Sequence, residues 1–392
     1  MKKITANELE KIRGNKRVRQ RLAYESPFWF TLLYLRHHLS APLAAFHMEM
    51  FHLIQEEKYN FVVVMAFRES GKSTIMNMAN VLWSILGKPG KKFVIIVSNT
   101  QEQAKNHFLN IKAELEGNEA LREDFGPFTE NEAAWNRLSL ELDYCGAKIL
   151  SISRDQRVRG LKHNQYRPDL IICDDLEDSV SVEDRTLAAA LGQWFESEIL
   201  PLGNADTKVI VLGNLLSHYW GDPTMNRDSF ILRLRLEILT GKIQGIFRAY
   251  PLIDDRGKNL WESRYPNHKA VLALRTRVSL GIWIREYLLK SYGQNNEDGP
   301  NIKFLTDDSM RDLLERIENN RLKDGYKRVS PYQKALVSQM KEFAIDAPRH
   351  SMPIFESLDD PKYFKFLDDM YFYPKKEDLE KRITEDKKRY GE

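Results

Sequence analysis

The sequence predicts an α/β fold, a mostly parallel central sheet flanked by helices, and three observations carry that expectation. Short apolar runs rich in Val and Ile recur at 61–65, 93–97, 148–153, 170–173 and 208–212, the pattern of strands buried on both faces. Stretches with apolar residues at helical spacing alternate with them, as the crossovers of a parallel sheet require. The turns with chemically useful side chains all follow the carboxyl ends of strands, where open α/β sheets bind ligands.

The chain opens with a basic, helical stretch over 1–25 that holds Lys11, Arg13, Lys16, Arg17, Arg19 and Arg21. It reads either as a solvated helix or as a contact to DNA phosphates or a partner. Residues 26–58 are helical and aromatic, so 1–58 form a helical N-terminal arm and a segment leading into the core. Within it, Phe46-His47-Met48-Glu49-Met50 sets a histidine on an apolar helix, where a satisfied core residue is the first reading. The core spans 59–250. Its first strand, 61–65, turns through Ala66-Phe67-Arg68-Glu69-Ser70-Gly71-Lys72-Ser73-Thr74 into a helix with Ile75, Met78, Ala79, Leu82 and Leu86 on one face. Gly87 and Pro89-Gly90 end that helix. After 93–97, Thr100 and Gln103 have the spacing of a capping box, and Ala104, Phe108, Ile111 and Leu115 form the apolar face of the next helix. Strands at 148–153 and 170–173, a helix over 186–200 and a strand at 208–212 complete the core. A helical closing segment, 251–292, carries Trp261, Trp283 and Tyr287. Residues 293–300 have the composition of a linker, and 301–392 form a charged, mainly helical extension.

The 392 residues carry a net charge of +3, too small for composition alone to point to nucleic acid. Cys145 and Cys173, each within a predicted strand, read as small buried hydrophobes and fit a reducing cytosol. No apolar stretch approaches the length of a membrane span, so no membrane partner is expected. The basic N-terminus lacks the apolar centre of a secretory signal.

Strand, Gly-Lys-Ser turn and helix make a P-loop. Backbone N–H groups at a helix start point at phosphate oxygens, and Gly71 lets the chain approach them closely. Ala66 stands where the first glycine of such loops usually is. Arg68, Glu69, Ser70, Gly71, Lys72, Ser73 and Thr74 are therefore expected to hold the phosphates of ATP, with Lys72 on the β- and γ-phosphates and Ser73 on Mg²⁺. The strand at 170–173 runs into Asp174-Asp175-Leu176-Glu177-Asp178. Asp174 is placed to hold Mg²⁺ through water, and Asp175 or the longer Glu177 to orient or deprotonate the attacking water. Asn214, just past the next strand, reads either as a γ-phosphate sensor or as part of a plain strand-ending turn. Arg68 inside the loop could reach transition-state charge in cis. Arg154, Arg157, Arg159 and Arg167 precede the acidic strand; they are candidates for DNA phosphates, for a neighbour's ATP, or for a solvated loop. The set describes a Mg²⁺-dependent ATPase of the additional-strand (ASCE) P-loop class.

These motifs together resemble the large terminase subunit of tailed bacteriophages. The pieces are the loop at 66–73, Arg159-Gly160, the run from Arg167 to Asp175, and Gly213-Asn214. Phe46 and His47 are similar to the family's segment near the adenine, and 260–266 with Tyr287-Leu288 to the segment closing its ATPase half. The resemblance covers roughly 30–290. It implies an ATP-driven motor that moves double-stranded DNA into a procapsid, working as a homo-oligomeric ring on a portal protein, with a small terminase subunit as partner, in the cytoplasm of the host bacterial cell. Two departures stand out. The second carboxylate is Asp175 rather than Glu. Residues 301–392 lack acidic residues within β-branched runs, so no nuclease is expected there: a separate chain supplies one or it has been lost. The competing readings are a helicase-like DNA-remodelling ATPase and a nucleotide-dependent assembly or scaffold protein without productive turnover.

Overall fold

The structure, a computed structural model, describes residues 6–128, 138–156, 158, 160–216, 229–239, 241–254 and 257–290. Seven strands make one sheet: β1 Phe61–Ala66, β2 Phe93–Ser98, β3 Ser139–Leu142, β4 Ala147–Ser153, β5 Leu170–Asp174, β6 Lys208–Gly213 and β7 Ile246–Tyr250. Their order is β3-β4-β2-β5-β6-β1-β7. All neighbours are parallel except β3 and β4. β6 therefore stands between the P-loop strand and the acidic strand, which is the additional-strand arrangement. The register sets Met65 beside Gly213 and Asp174 beside Leu212. Three adjacent strands thus end level, and each is followed by candidate site residues at the same edge.

The core lies on both faces of the sheet. Val62 and Val64 of β1 face a cluster built with the N-terminal helices, the P-loop helix and the closing segment. Phe61, Val63 and Met65 face the opposite cluster, with Leu191, Phe195 and Leu234. The alternation is the period of two that a strand imposes.

Two strands are not legible as buried apolar runs. β7 contains Arg248, which is 4% exposed and donates to Glu49 Oε1 at 2.5 Å. β3 is a short antiparallel edge strand. The turn from β3 into β4 holds Cys145, half-buried and outside any strand, contrary to the sequence expectation; Cys173 lies buried in β5 as expected. Burial pushes the Cys173 thiol above its ordinary range.

The P-loop helix differs from the one-faced helix its spacing suggests. Thr74–Ala79 runs on into Asn80–Leu86, and every residue from Ile75 to Leu86 is buried. Two of the polar members bond within the helix: Ser84 Oγ donates to Asn80 Oδ1 at 2.9 Å and Asn80 Nδ2 to Met76 O at 3.2 Å. The second face is covered by the N-terminal helices. Lys16–Glu25 starts at Asn15, whose side chain accepts from Val18 N, and buries Val18, Leu22 and Ala23. Trp83 Nε1 donates to Ala23 O at 3.1 Å. Arg19 forms a two-pronged pair with Asp124, at 2.5 and 2.7 Å, and Tyr34 OH donates to the same carboxylate at 2.5 Å. This basic stretch is tied into the fold by its apolar face and by Arg19, rather than wholly solvated.

The capping box forms as spaced: Thr100 Oγ1 accepts from Gln103 N and Gln103 Oε1 from Thr100 N, both at 3.2 Å, at the start of Gln101–Gly117. Among the described residues, no helix is long and apolar enough to cross a membrane. The extension 301–392 and Arg157 and Arg159 lie outside the described residues.

Leu22→Ala should cost about 2–5 kcal/mol of stability, the usual range for a buried leucine cut back in a rigid core. Urea denaturation of the full chain reads it. An unchanged midpoint would mean that the N-terminal helices do not share the core.

Candidate functional site

The P-loop is held from beneath before it can hold anything. Phe67 N donates to Tyr250 O and Arg68 N to Glu286 O, both at 2.9 Å, and Ser70 N returns to Phe67 O at 3.1 Å. Two residues turn the chain through left-handed backbone, Glu69 at φ +64° and Gly71 at φ +82°. A Cβ on Gly71 would meet only His47 Nε2, at 3.6 Å. Glycine is needed there for its conformation, not for lack of space.

His47 is the strut under the loop. Its Nδ1 accepts from Ala44 N at 2.8 Å, so Nε2 carries the proton and donates to Ser70 O at 2.8 Å. Burial drives its pKa down to about 3, against the pull of the Ser70 bond. The ring is therefore neutral with a fixed tautomer, packed between Phe46 and Trp261 at centroid distances of 3.8 and 4.6 Å. Phe46 is buried against His47, Phe67, Tyr250 and Trp261. It supports the wall from behind.

At the level strand ends the expected residues converge. Lys72 Nζ donates to Asn214 Oδ1 at 3.0 Å and to Asp175 Oδ2 at 3.3 Å. Ser73 Oγ donates to Asp174 Oδ1 at 3.2 Å. Asp174 is 1% exposed, and its other oxygen accepts from Asn77 Nδ2 at 3.1 Å, with His107 Nε2 3.6 Å away. Asp175 N extends the ladder to Leu212 O at 3.0 Å. Its own backbone is left-handed, φ +49°. A non-glycine residue held there is strained, a condition that clusters at functional sites. Burial raises the Asp175 carboxyl above its ordinary range; Lys72 opposes the shift and Asp174 adds to it.

Two expected residues are engaged elsewhere. Glu177 accepts from Phe230 N at 2.6 Å, from Ile231 N at 3.1 Å and from Ser229 Oγ at 3.3 Å. It closes the start of helix Phe230–Leu239, and burial pushes its carboxyl up to about 7 while those donors pull it back. Arg68 Nη1 donates to Glu286 Oε2 at 2.8 Å, with its side chain more than half exposed. The structure thus groups Lys72, Ser73, Asp174, Asp175 and Asn214, and leaves Glu177 and Arg68 outside that group. Asn77 and His107 are additions. Asn77 lies one helical turn past Ser73, a spacing that could have found it. His107 comes from a separate helix, and nothing in its local sequence marks it.

Beside this group opens a cleft of about 350 Å³. Residues 69–75 line it with Leu39, Ala41, Leu43, Trp261 and Arg264. Arg264 lies over the Trp261 ring, 5.0 Å from its centroid, and its Nη2 pairs with Glu69 Oε2 at 3.0 Å.

No protein-family model matches the chain, and no curated protein does. Among solved structures, the chain is similar to the ATPase domain of the Thermus phage P74-26 large terminase. A mutant form is 15% identical over 63% of this chain and 93% of that one, with a TM-score of 0.39. A second structure of the domain is 16% identical over 62% and 90%, at 0.38. The large terminase of bacteriophage HK97 is 15% identical over 64% of this chain and 50% of its own, at 0.42.

The His47 environment sets a pH dependence. In the unfolded chain its imidazole takes a proton near 6.5, and in the folded protein only near 3. The unfolded state therefore binds more protons between those values, and stability falls as pH drops. Between pH 7 and pH 5 the loss from this residue is about 2 kcal/mol. His47→Gln should remove that part of the slope in urea denaturation at the two pH values. Parallel slopes would contradict a neutral, buried His47.

Proposed function

We propose that the chain is an ATP-hydrolysing motor that moves double-stranded viral DNA into a procapsid, the ATPase part of a large terminase subunit. One observation carries the enzymatic half: Lys72, Ser73, Asp174, Asp175 and Asn214 meet within hydrogen-bond reach at three level strand ends. The translocation half rests on the motif resemblance. It brings with it duplex DNA, a portal protein, a small terminase subunit, a ring of copies and the host bacterial cytoplasm.

The roles follow from position. The loop's backbone N–H groups and Lys72 would bind the phosphates of ATP. Ser73 and Asp174 offer oxygen donors only, which suits a hard cation, and Ser70 Oγ in the same loop is buried with no hydrogen-bond partner among the described residues. These residues fit Mg²⁺, which would neutralise phosphate charge when bound. Lys72 now holds Asp175 and Asn214. Phosphates would draw the ammonium away and leave Asp175 facing the water side, where a raised pKa makes it a better proton acceptor. Glu177, with its oxygens committed to a helix start, serves as an anchor in this reading. Arg68 would act on transition-state charge only after leaving Glu286. Leu39, Ala41 and Trp261 give the cleft an apolar wall for the base.

ATPase assays with and without duplex DNA test this. Lys72→Ala should abolish turnover. Asp175→Asn should lower kcat by about 10²–10⁴ while Mg·ATP binding persists, and Glu177→Gln should lower stability more than kcat. The opposite pattern in the two carboxylate variants would exchange their roles. No turnover by the wild type with DNA would favour a scaffold, and separation of a forked duplex would favour a helicase-like enzyme.

Arg68→Ala should lower kcat and leave ATP binding largely intact. A change confined to KM would remove the finger role.

A further inference from the structure

A second group of ligand-type side chains lies behind the cleft wall. The turn Arg36–His38 presents two adjacent imidazoles, ring centroids 4.3 Å apart. His37 Nε2 and His38 Nε2 stand 2.9 and 2.8 Å from the same oxygen, Oε1 of Glu114. Glu114 comes from helix Gln101–Gly117, more than seventy residues along the chain. One atom from each of the three lies within 4.8 Å of the others.

We infer that His37, His38 and Glu114 form a binding site for a borderline transition-metal ion of the Zn²⁺ class, with water completing the shell. Three facts support it. The first is distance. Ligands at about 2.0–2.1 Å around a tetrahedral ion stand about 3.3 Å apart, and the two nitrogen–oxygen separations, 2.9 and 2.8 Å, lie close to that spacing. The second is orientation. Asn118 Nδ2 donates to the far oxygen of Glu114 at 2.7 Å and to Tyr34 O at 2.8 Å, while its Oδ1 accepts from Leu121 N at 3.1 Å. Asn118 is thus locked between two helices and fixes the carboxylate, as the outer partners of metal ligands do. The third is donor type. Two imidazoles and one carboxylate suit Zn²⁺, Ni²⁺ or Cu²⁺ rather than Mg²⁺ or Ca²⁺. Binding needs each imidazole to carry its proton on Nδ1, leaving the Nε2 lone pairs to the ion.

The site would clamp two elements that matter to the cleft. His38 and the residues after it line the cleft, and helix Gln101–Gly117 carries His107 toward Asp174. That consequence depends on the nucleotide reading; the metal site does not.

The test uses the full chain, stripped of metal and free of nucleotide. Zn²⁺ is titrated against a chromophoric chelator, and Co²⁺ is followed by its visible absorption. The expected result is one Zn²⁺ per chain at sub-micromolar affinity. Co²⁺ should show the bands of a four-coordinate ion and no thiolate charge transfer. His37→Ala, at a side chain 55% exposed and so safe for folding, should weaken Zn²⁺ by at least about tenfold, and Glu114→Gln should do the same. Wild-type affinity weaker than about 10 µM, or variants that bind Zn²⁺ like the wild type, would overturn the site. Failure of the ATPase assays would leave this measurement untouched.

Discussion

Asp174 is the constraint around which the site is arranged. A carboxylate 1% exposed at the end of an apolar strand is costly unless its oxygens are bonded. Its partners come from elements far apart in sequence: Ser73 and Asn77 from the P-loop helix, with His107 near by on the helix after β2. Satisfying this one charge therefore draws the loop helix onto the sheet edge and fixes where Lys72 emerges. The additional strand completes the arrangement, because it brings Asn214 within reach of Lys72.

Two carboxylates close in sequence show how environment divides labour. Asp175 follows its strand in a strained backbone conformation and faces Lys72. Glu177 is turned the other way and fastens helix Phe230–Leu239 to the end of β5. Both carboxyls are raised, with burial the leading cause in each, so the shift alone does not set the two apart. The partners do. Asp175 faces a cation that a phosphate could withdraw, whereas Glu177 faces helix N–H groups that have no alternative.

Much of this was legible in the sequence where the signal is local. The buried strands are apolar runs, the P-loop is a contiguous turn, and Thr100 and Gln103 lie within one helical turn. What was not legible depends on distant partners. β7 escapes because Arg248 interrupts it, and Glu49, nearly two hundred residues away, is what makes that arginine tolerable. The all-round burial of the P-loop helix depends on Val18, Leu22 and Ala23, which sit in a stretch that reads as merely basic. His107, and the approach of His37 and His38 to Glu114, exist only once helix Gln101–Gly117 has docked.

The backbone bonds from Phe67 to Tyr250 and from Arg68 to Glu286 give the loop a mechanical character. A phosphate-binding loop anchored only to its own strand and helix can flex as a flap. This one is fastened at two successive residues to the strand edge and to the closing segment. Displacing the loop would strain two short backbone links, one to residue 250 at the strand edge and one to residue 286 in the closing segment.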